Sequence, residues 1–224
     1  MNKKEQQRAK KIFDILKDNY PIPKTFLNHT NPFELLIATI LSAQCTDARV
    51  NQVTETLFKK YKIPQDYLAA SNEEIEKEIY SLGFYSNKTK SIKKCSKALI
   101  ENYNGNVPED FDELTKLPGV GRKTASVVAG NAFMIPSIAV DTHVIRLSNL
   151  LGFVETKDPE KIETRLKELL PEADWINSSH YLIMHGRNIC VARKPKCLEC
   201  PLDKLCPSYL YYLKDVKNDK QRTK

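Results

Sequence analysis

The chain has 224 residues, 41% hydrophobic and 28% charged, which suits a folded protein with one large domain or two small ones and excludes a largely disordered chain. Its net charge of +7 and pI near 9.0 favour a polyanionic partner. The last eleven residues, Lys214 to Lys224, hold five basic and two acidic side chains and so supply +3 of that charge as a flexible basic tail.

The N-terminal stretch carries Ile12, Phe13, Ile15 and Leu16 in an amphipathic helical pattern, too short an apolar run for a leader peptide. No run along the chain is apolar enough to span a membrane. A cytoplasmic protein acting as a monomer is expected, with reduced cysteines. Residues 32–41 (PFELLIATIL) are apolar on nearly every face and predict a fully buried helix. Ala48 to Tyr61 and Glu73 to Leu82 predict amphipathic helices. A further helix is expected from a cap at Ser86 to Tyr103, with Ile92, Cys95, Leu99 and Tyr103 on one stripe and Gly105 ending it. Asp158 and Asp174 read as N-caps of two later helices. No stretch alternates strictly between hairpin signals, so the predicted fold class is all-α. Residues 24–135 form the expected first helical domain. Pro136 breaks the pattern, and residues 1–23 with 136–213 form a second domain, if the N-terminal helix packs with the C-terminal part.

The most informative segment is LPGVGRKTA, Leu117 to Ala125. Glycines at 119 and 121 permit a tight turn, and amides around Gly119, Val120 and Gly121 would lie open at the start of the next helix. Such a nest accepts a phosphate oxygen without a side chain. This string resembles the helix-hairpin-helix motif of DNA glycosylases. Through SAQCTDARVN (42–51), IAVDTHVIRLSN (138–149) and the C-terminal cysteines, the chain resembles the endonuclease III family in particular. The resemblance implies a helical barrel containing the hairpin, joined to a smaller helical iron–sulfur domain, with damaged double-stranded DNA bound across the cleft between them.

It also implies roles for two residues. Lys123 matches the family's nucleophile and Asp141 its catalytic aspartate. The residue types suit the chemistry. A neutral amine can attack the sugar C1′ and displace the base, but an ordinary lysine is protonated at neutral pH and needs desolvation or cationic neighbours to react. A carboxylate can stabilise positive charge developing on the sugar and help move protons. Asp before Thr-His also has the form of an N-cap, and the two roles are compatible. His143 is either structural or near the substrate.

Four of the six cysteines, Cys190, Cys197, Cys200 and Cys206, give the spacing C-x6-C-x2-C-x5-C. Spacing alone leaves zinc and an iron–sulfur cluster open; the family resemblance implies a [4Fe-4S] cluster. The intervening loop brings Arg193, Lys194 and Lys196, suited to phosphate backbone. Cys45 and Cys95 lie outside the group and read as buried free thiols.

A glycosylase must take its target out of the duplex and fill the gap. By resemblance, Gln44 and Phe84 would enter the base stack; the alternative for Phe84 is a place in the core. Relatives commonly have leucine where this chain has Phe84, a larger aromatic wedge that can still stack. The lysines at 88, 90, 93, 94 and 97 read as a solvated helix face, with a secondary role in backbone contact. The expectation is therefore a bifunctional glycosylase in base-excision repair, removing oxidised pyrimidines and cutting the abasic site through a lysine Schiff base. An adenine glycosylase of the same superfamily is the nearest rival, but generally lacks a lysine at the position of Lys123. A plain DNA-binding module would leave the pairing of Lys123 with Asp141 unexplained, and an iron–sulfur redox protein would leave the hairpin unexplained.

Overall fold

A computed structural model describes residues 3–21 and 25–209. The predicted tail, 214–224, lies outside them. The described residues form eleven α-helices and three short 3-10 turns, with no strand, as the all-α expectation requires. The chain divides into two compact units, one spanning Thr25–Ser137, the other joining the N-terminal helix to the chain from Ile138 onward.

In the first unit, α2 (Pro32–Leu41) is the centre. Every residue after Pro32 is buried, which explains the absence of a polar face in its sequence. Its start is fixed twice. The Asn31 side chain accepts from the Glu34 amide at 2.9 Å. The Glu34 carboxylate in turn accepts from Thr30 N at 2.6 Å and Thr30 Oγ1 at 2.9 Å, so a buried charge is hydrogen-bonded. Leu35, Leu36, Ile37 and Leu41 are completely enclosed, each contributing about 1.5–3 kcal/mol by burial. Truncating Leu36 to alanine would cost roughly 2–5 kcal/mol.

Around it stand α3 (Asp47–Lys60), α4 (Pro64–Ala69), α5 (Asn72–Ile79), α6 (Tyr85–Tyr103), α7 (Phe111–Lys116) and α8 (Arg122–Phe133). Helix α8 packs on α2 and α7, and α6 packs on α2, α4 and α5. Thr46 caps α3, and Ser71 with Glu74 forms a capping box on α5. The helix expected to run on to Leu82 becomes α5 followed by a 3-10 turn over Tyr80–Leu82.

Ser86 is not the cap of α6. It sits inside the helix, whose N-cap is Phe84 in the left-handed region with no side-chain cap bond. The entry is set by a constrained turn rather than by a hydroxyl. At the other end Asn104 and Gly105 both take positive φ and close the helix.

In the second unit, α9 (Thr142–Leu150), α10 (Pro159–Leu169) and α11 (Trp175–Asn188) pack together, and α1 (Lys3–Asn19) lies on α10 and α11. Asp158 caps α10 as expected, accepting from Glu160 N and Lys161 N. Asp174 holds the N-cap position of α11 but makes no side-chain cap bond, because that helix runs on from a 3-10 turn over Glu172–Asp174 and Asp174 is already helical. Helices α9 and α11 approach closely at Gly186, where an added Cβ would come within 2.8 Å of His143 Nδ1. Arg8 of α1 donates to the carbonyls of Leu151 (2.8 Å) and Leu205 (3.2 Å), tying α1 to the end of α9 and to the cysteine-rich segment.

Candidate active site and cysteine centre

The hairpin is built by α7, the turn 117–121 and α8. Only Gly119 takes positive φ (82°), whereas Gly121 at −89° is extended. A Cβ on Gly119 would sit 2.9 Å from Ser91 Cβ, so glycine is required there by conformation and by space. The Val120 amide is not open as expected. It donates to Leu117 O at 3.0 Å to close the turn, and the Val120 side chain is buried. The contribution of Val120 is to hold the turn, and Gly119 and Gly121 on either side of it are exposed. Gly121 is the N-cap of α8 and brings no side-chain acceptor to its first amides, and nothing lies within 4 Å of where its Cβ would be. An external anion has both the donors and the room. Arg122 stacks over the Phe111 ring at 5.2 Å. Lys123, on the first turn of α8, is exposed.

Asp141 is the N-cap of α9. Its Oδ1 accepts from Val144 N at 2.8 Å, so the predicted cap is present. One carboxylate oxygen is thereby fixed, and the negative charge sits at the positive end of the helix. His143 is half-buried, 3.4 Å from Arg146 Nη2 and facing Gly186, which places it at the contact between α9 and α11.

Gln44 and Phe84 are both exposed, and both are in the left-handed region, at φ 54° and 48°. Phe84 is 63% exposed; the structure excludes a core role for it. Non-glycine residues adopt this conformation at a cost of about 1–3 kcal/mol, and only where neighbours enforce it. Tyr80 and Tyr85, which precede and follow Phe84 in the sequence, pair with ring centroids 4.9 Å apart. The lysines of α6 are not one solvated face. Lys88 is buried, its Nζ donating to Leu82 O at 3.0 Å; burial pushes its pKa down. Lys93 donates to Ala70 O at 2.6 Å. Helical periodicity alone did not reveal these roles.

Cys190, Cys197, Cys200 and Cys206 are free thiols that line one cavity, together with Leu147, Leu150, Leu151, His185 and Leu202. Burial pushes all four thiols above their ordinary pKa, Cys200 to about 11. No three His, Cys, Asp or Glu side chains among the described residues are grouped as ligands of a single metal ion. A multinuclear cluster asks for a wider spread, with a thiolate on each iron, and four thiols around an apolar cavity suit that donor set. Further polar groups approach the sulfurs, none of them singled out from the sequence. Arg146 Nη1 is 3.7 Å from Cys190 Sγ, and His185 Nε2 is 3.6 Å from Cys200 Sγ, with Tyr20 Oη 2.9 Å from His185 Nδ1. Arg193, Lys194 and Lys196 are exposed on the loop between the first two cysteines, where the Lys196 amide donates to Ile189 O at 3.0 Å and folds the loop back on the end of α11. Cys95 is buried as expected, but Cys45 is only half-buried, at the edge of the exposed Gln44 turn.

Comparison with known proteins places the chain in a family. Residues 37–172 match the HhH-GPD superfamily of base excision DNA repair proteins. The chain is 54% identical over 194 residues to endonuclease III of Bacillus subtilis, covering 86% of this chain and 89% of that protein. It is 44% identical to endonuclease III of Escherichia coli K12 over 87% of this chain and 92% of that one. Among solved structures it is similar to an endonuclease III trapped as a covalent intermediate with DNA, at 48% identity and TM-score 0.89, covering 93% of this chain and 98% of that one. A thermostable thymine-DNA glycosylase is similar at 27% identity and TM-score 0.82, covering 94% of this chain and all of that one. No helix among the described residues is long and apolar enough to cross a membrane. The chain belongs to the HhH-GPD superfamily of base excision DNA repair proteins and, within it, to the endonuclease III family of DNA glycosylases with abasic-site lyase activity.

Proposed function

We propose that this DNA repair enzyme acts on oxidised pyrimidines in double-stranded DNA, with Lys123 as nucleophile and Asp141 as the carboxylate that serves it. The observation that carries the reading is the hairpin, where an uncapped helix N-terminus beside Gly119 and Gly121 can seat a backbone phosphate one turn from an exposed amine. A phosphate held there fixes the register of the sugar against Lys123. The neutral amine attacks C1′, the bond from C1′ to the base breaks, and the base leaves with a proton; the sugar ring then opens at the C1′–O4′ bond, its oxygen taking a proton. The resulting iminium acidifies the 2′ hydrogens. Loss of one of them breaks the bond to the 3′ phosphate by β-elimination, and water later releases the lysine. The first helical turn of α9 holds the Asp141 carboxylate in place, where it stabilises positive charge on the sugar and moves protons. The similar endonuclease III trapped covalently on DNA supports an attack by a protein nucleophile.

Gln44 and Phe84, held exposed on left-handed turns, fill the gap left by the extruded nucleotide. Cys190, Cys197, Cys200 and Cys206 hold a [4Fe-4S] cluster. When bound, the cluster pins the loop of Arg193, Lys194 and Lys196 for contact with phosphates. The protein works in the cytoplasm, on the chromosome. The test is Lys123→Ala on duplex DNA containing an oxidised thymine. Retained binding with loss of strand incision is expected. Incision at the native rate would remove Lys123 from the chemistry, and loss of binding would make it a backbone contact.

A further inference from the structure

A lysine is seldom buried, and an apolar side chain would occupy the same space at lower desolvation cost. Lys88 is nevertheless 5% exposed, at the start of α6, and its Nζ bonds to the carbonyl of Leu82 at 3.0 Å. Leu82 is itself buried and is the last residue before two consecutive left-handed positions, Gly83 (φ 66°) and Phe84 (φ 48°). Gly83, at ψ 164°, occupies a region open in practice only to glycine. The bond therefore anchors the turn where its direction is decided, and what it directs is an exposed phenylalanine. Gln44, which is likewise exposed with positive φ, lies at the turn that leads into α3. Helix α3, which leads away from the Gln44 turn, packs on the 3-10 turn ending at Leu82.

We infer that Lys88 is a positioning residue for base extrusion: by bonding to the Leu82 carbonyl it holds the turn that aims Phe84 into the duplex. It touches neither the substrate nor the reacting atoms. Its role is to keep the turn from relaxing when the phenyl ring meets the resistance of stacked bases, and donation by the amine suffices in either protonation state. The inference rests on the reading of Phe84 as the wedge.

The test is the fluorescence of 2-aminopurine placed beside an unreactive abasic-site analogue in a duplex, which rises when a side chain unstacks it. Lys88→Met, with native helix content by circular dichroism, is expected to lose most of that rise, and Lys88→Arg, which keeps a donor, to recover it. Gly83→Ala gives a second route to the same turn. It meets no atom within 4 Å, so it acts through backbone conformation alone and is expected to lose the rise as well. Should Lys88→Met fail to fold, Gly83→Ala decides. A full rise in Phe84→Ala would overturn the wedge reading and this inference with it. A rise lost in Phe84→Ala but kept in folded Lys88→Met and in Gly83→Ala would overturn the clamp alone.

Discussion

Asp141 is asked to do two things, and substitutions can separate them. Its Oδ1 accepts the Val144 amide at 2.8 Å as the cap of α9. Asp141→Ala removes that acceptor and is expected to cost about 1 kcal/mol, lowering the melting temperature by roughly 2–4 °C for a chain of this size. Asp141→Asn keeps an oxygen in the capping position, and Asn caps about as well as Asp. It forfeits only the charge at the helix N-terminus, worth about 0.3–1 kcal/mol, and should melt above the alanine variant. The chemistry has the opposite pattern. Neither variant has a carboxylate, so both should lose about 10²–10⁴-fold in the rate of base removal. Single-turnover base release from an oxidised-thymine duplex, set beside calorimetric melting, gives both numbers. An asparagine variant as fast as the native enzyme would refute the catalytic role. Equal melting of native and alanine proteins would refute the cap.

Gly119→Ala combines a positive φ with a 2.9 Å approach to Ser91 Cβ; a loss of about 1–3 kcal/mol is expected in denaturant unfolding, with weakened binding to undamaged duplex as well. Gly121→Ala meets no atom within 4 Å and should unfold nearly as the native chain does, so that any loss of affinity reports obstruction at the phosphate site. Cys200→Ser is expected to yield protein depleted in iron and in visible absorbance; a full iron complement would remove Cys200 from the ligand set. His180 is buried, and burial holds its pKa below the ordinary 6.5. The unfolded chain therefore binds the extra proton first. The stability from keeping His180 neutral is complete above about pH 6.5 and is lost as the pH falls below it. Melting temperatures between pH 7 and 5 should fall less steeply in His180→Gln than in the native chain.

How much of this was legible in the sequence depends on which force decided each feature. Helix α2 was legible to the residue, since burial on all sides leaves an unmistakable apolar run from Pro32 to Leu41; its Asn31 cap emerges only from the structure. The caps at Asp141 and Asp158 were legible because capping is local chemistry. The cap expected at Ser86 failed because the turn at Gly83–Phe84 fixes the helix entry through backbone conformation, which a hydroxyl count cannot register. Lys88 looks solvated in the sequence because a lysine on a polar-looking helix face carries no sign that a carbonyl waits beneath it; that partner is brought there by the fold. Arg146, His185 and Tyr20 reach the sulfurs from 44, 15 and, through His185, 165 residues away in sequence. Such neighbours have no local signature. The catalytic assignments came from motif strings rather than from periodicity.

The central claim is that the Lys123 amine forms the covalent bond to DNA. Borohydride reduction during turnover on an abasic-site duplex, followed by proteolysis and mass spectrometry of the adduct, tests it most directly. The adduct is predicted on the peptide containing Lys123, and none is predicted from Lys123→Ala that still binds DNA. An adduct on another residue, or one that forms undiminished in Lys123→Ala, would contradict the account.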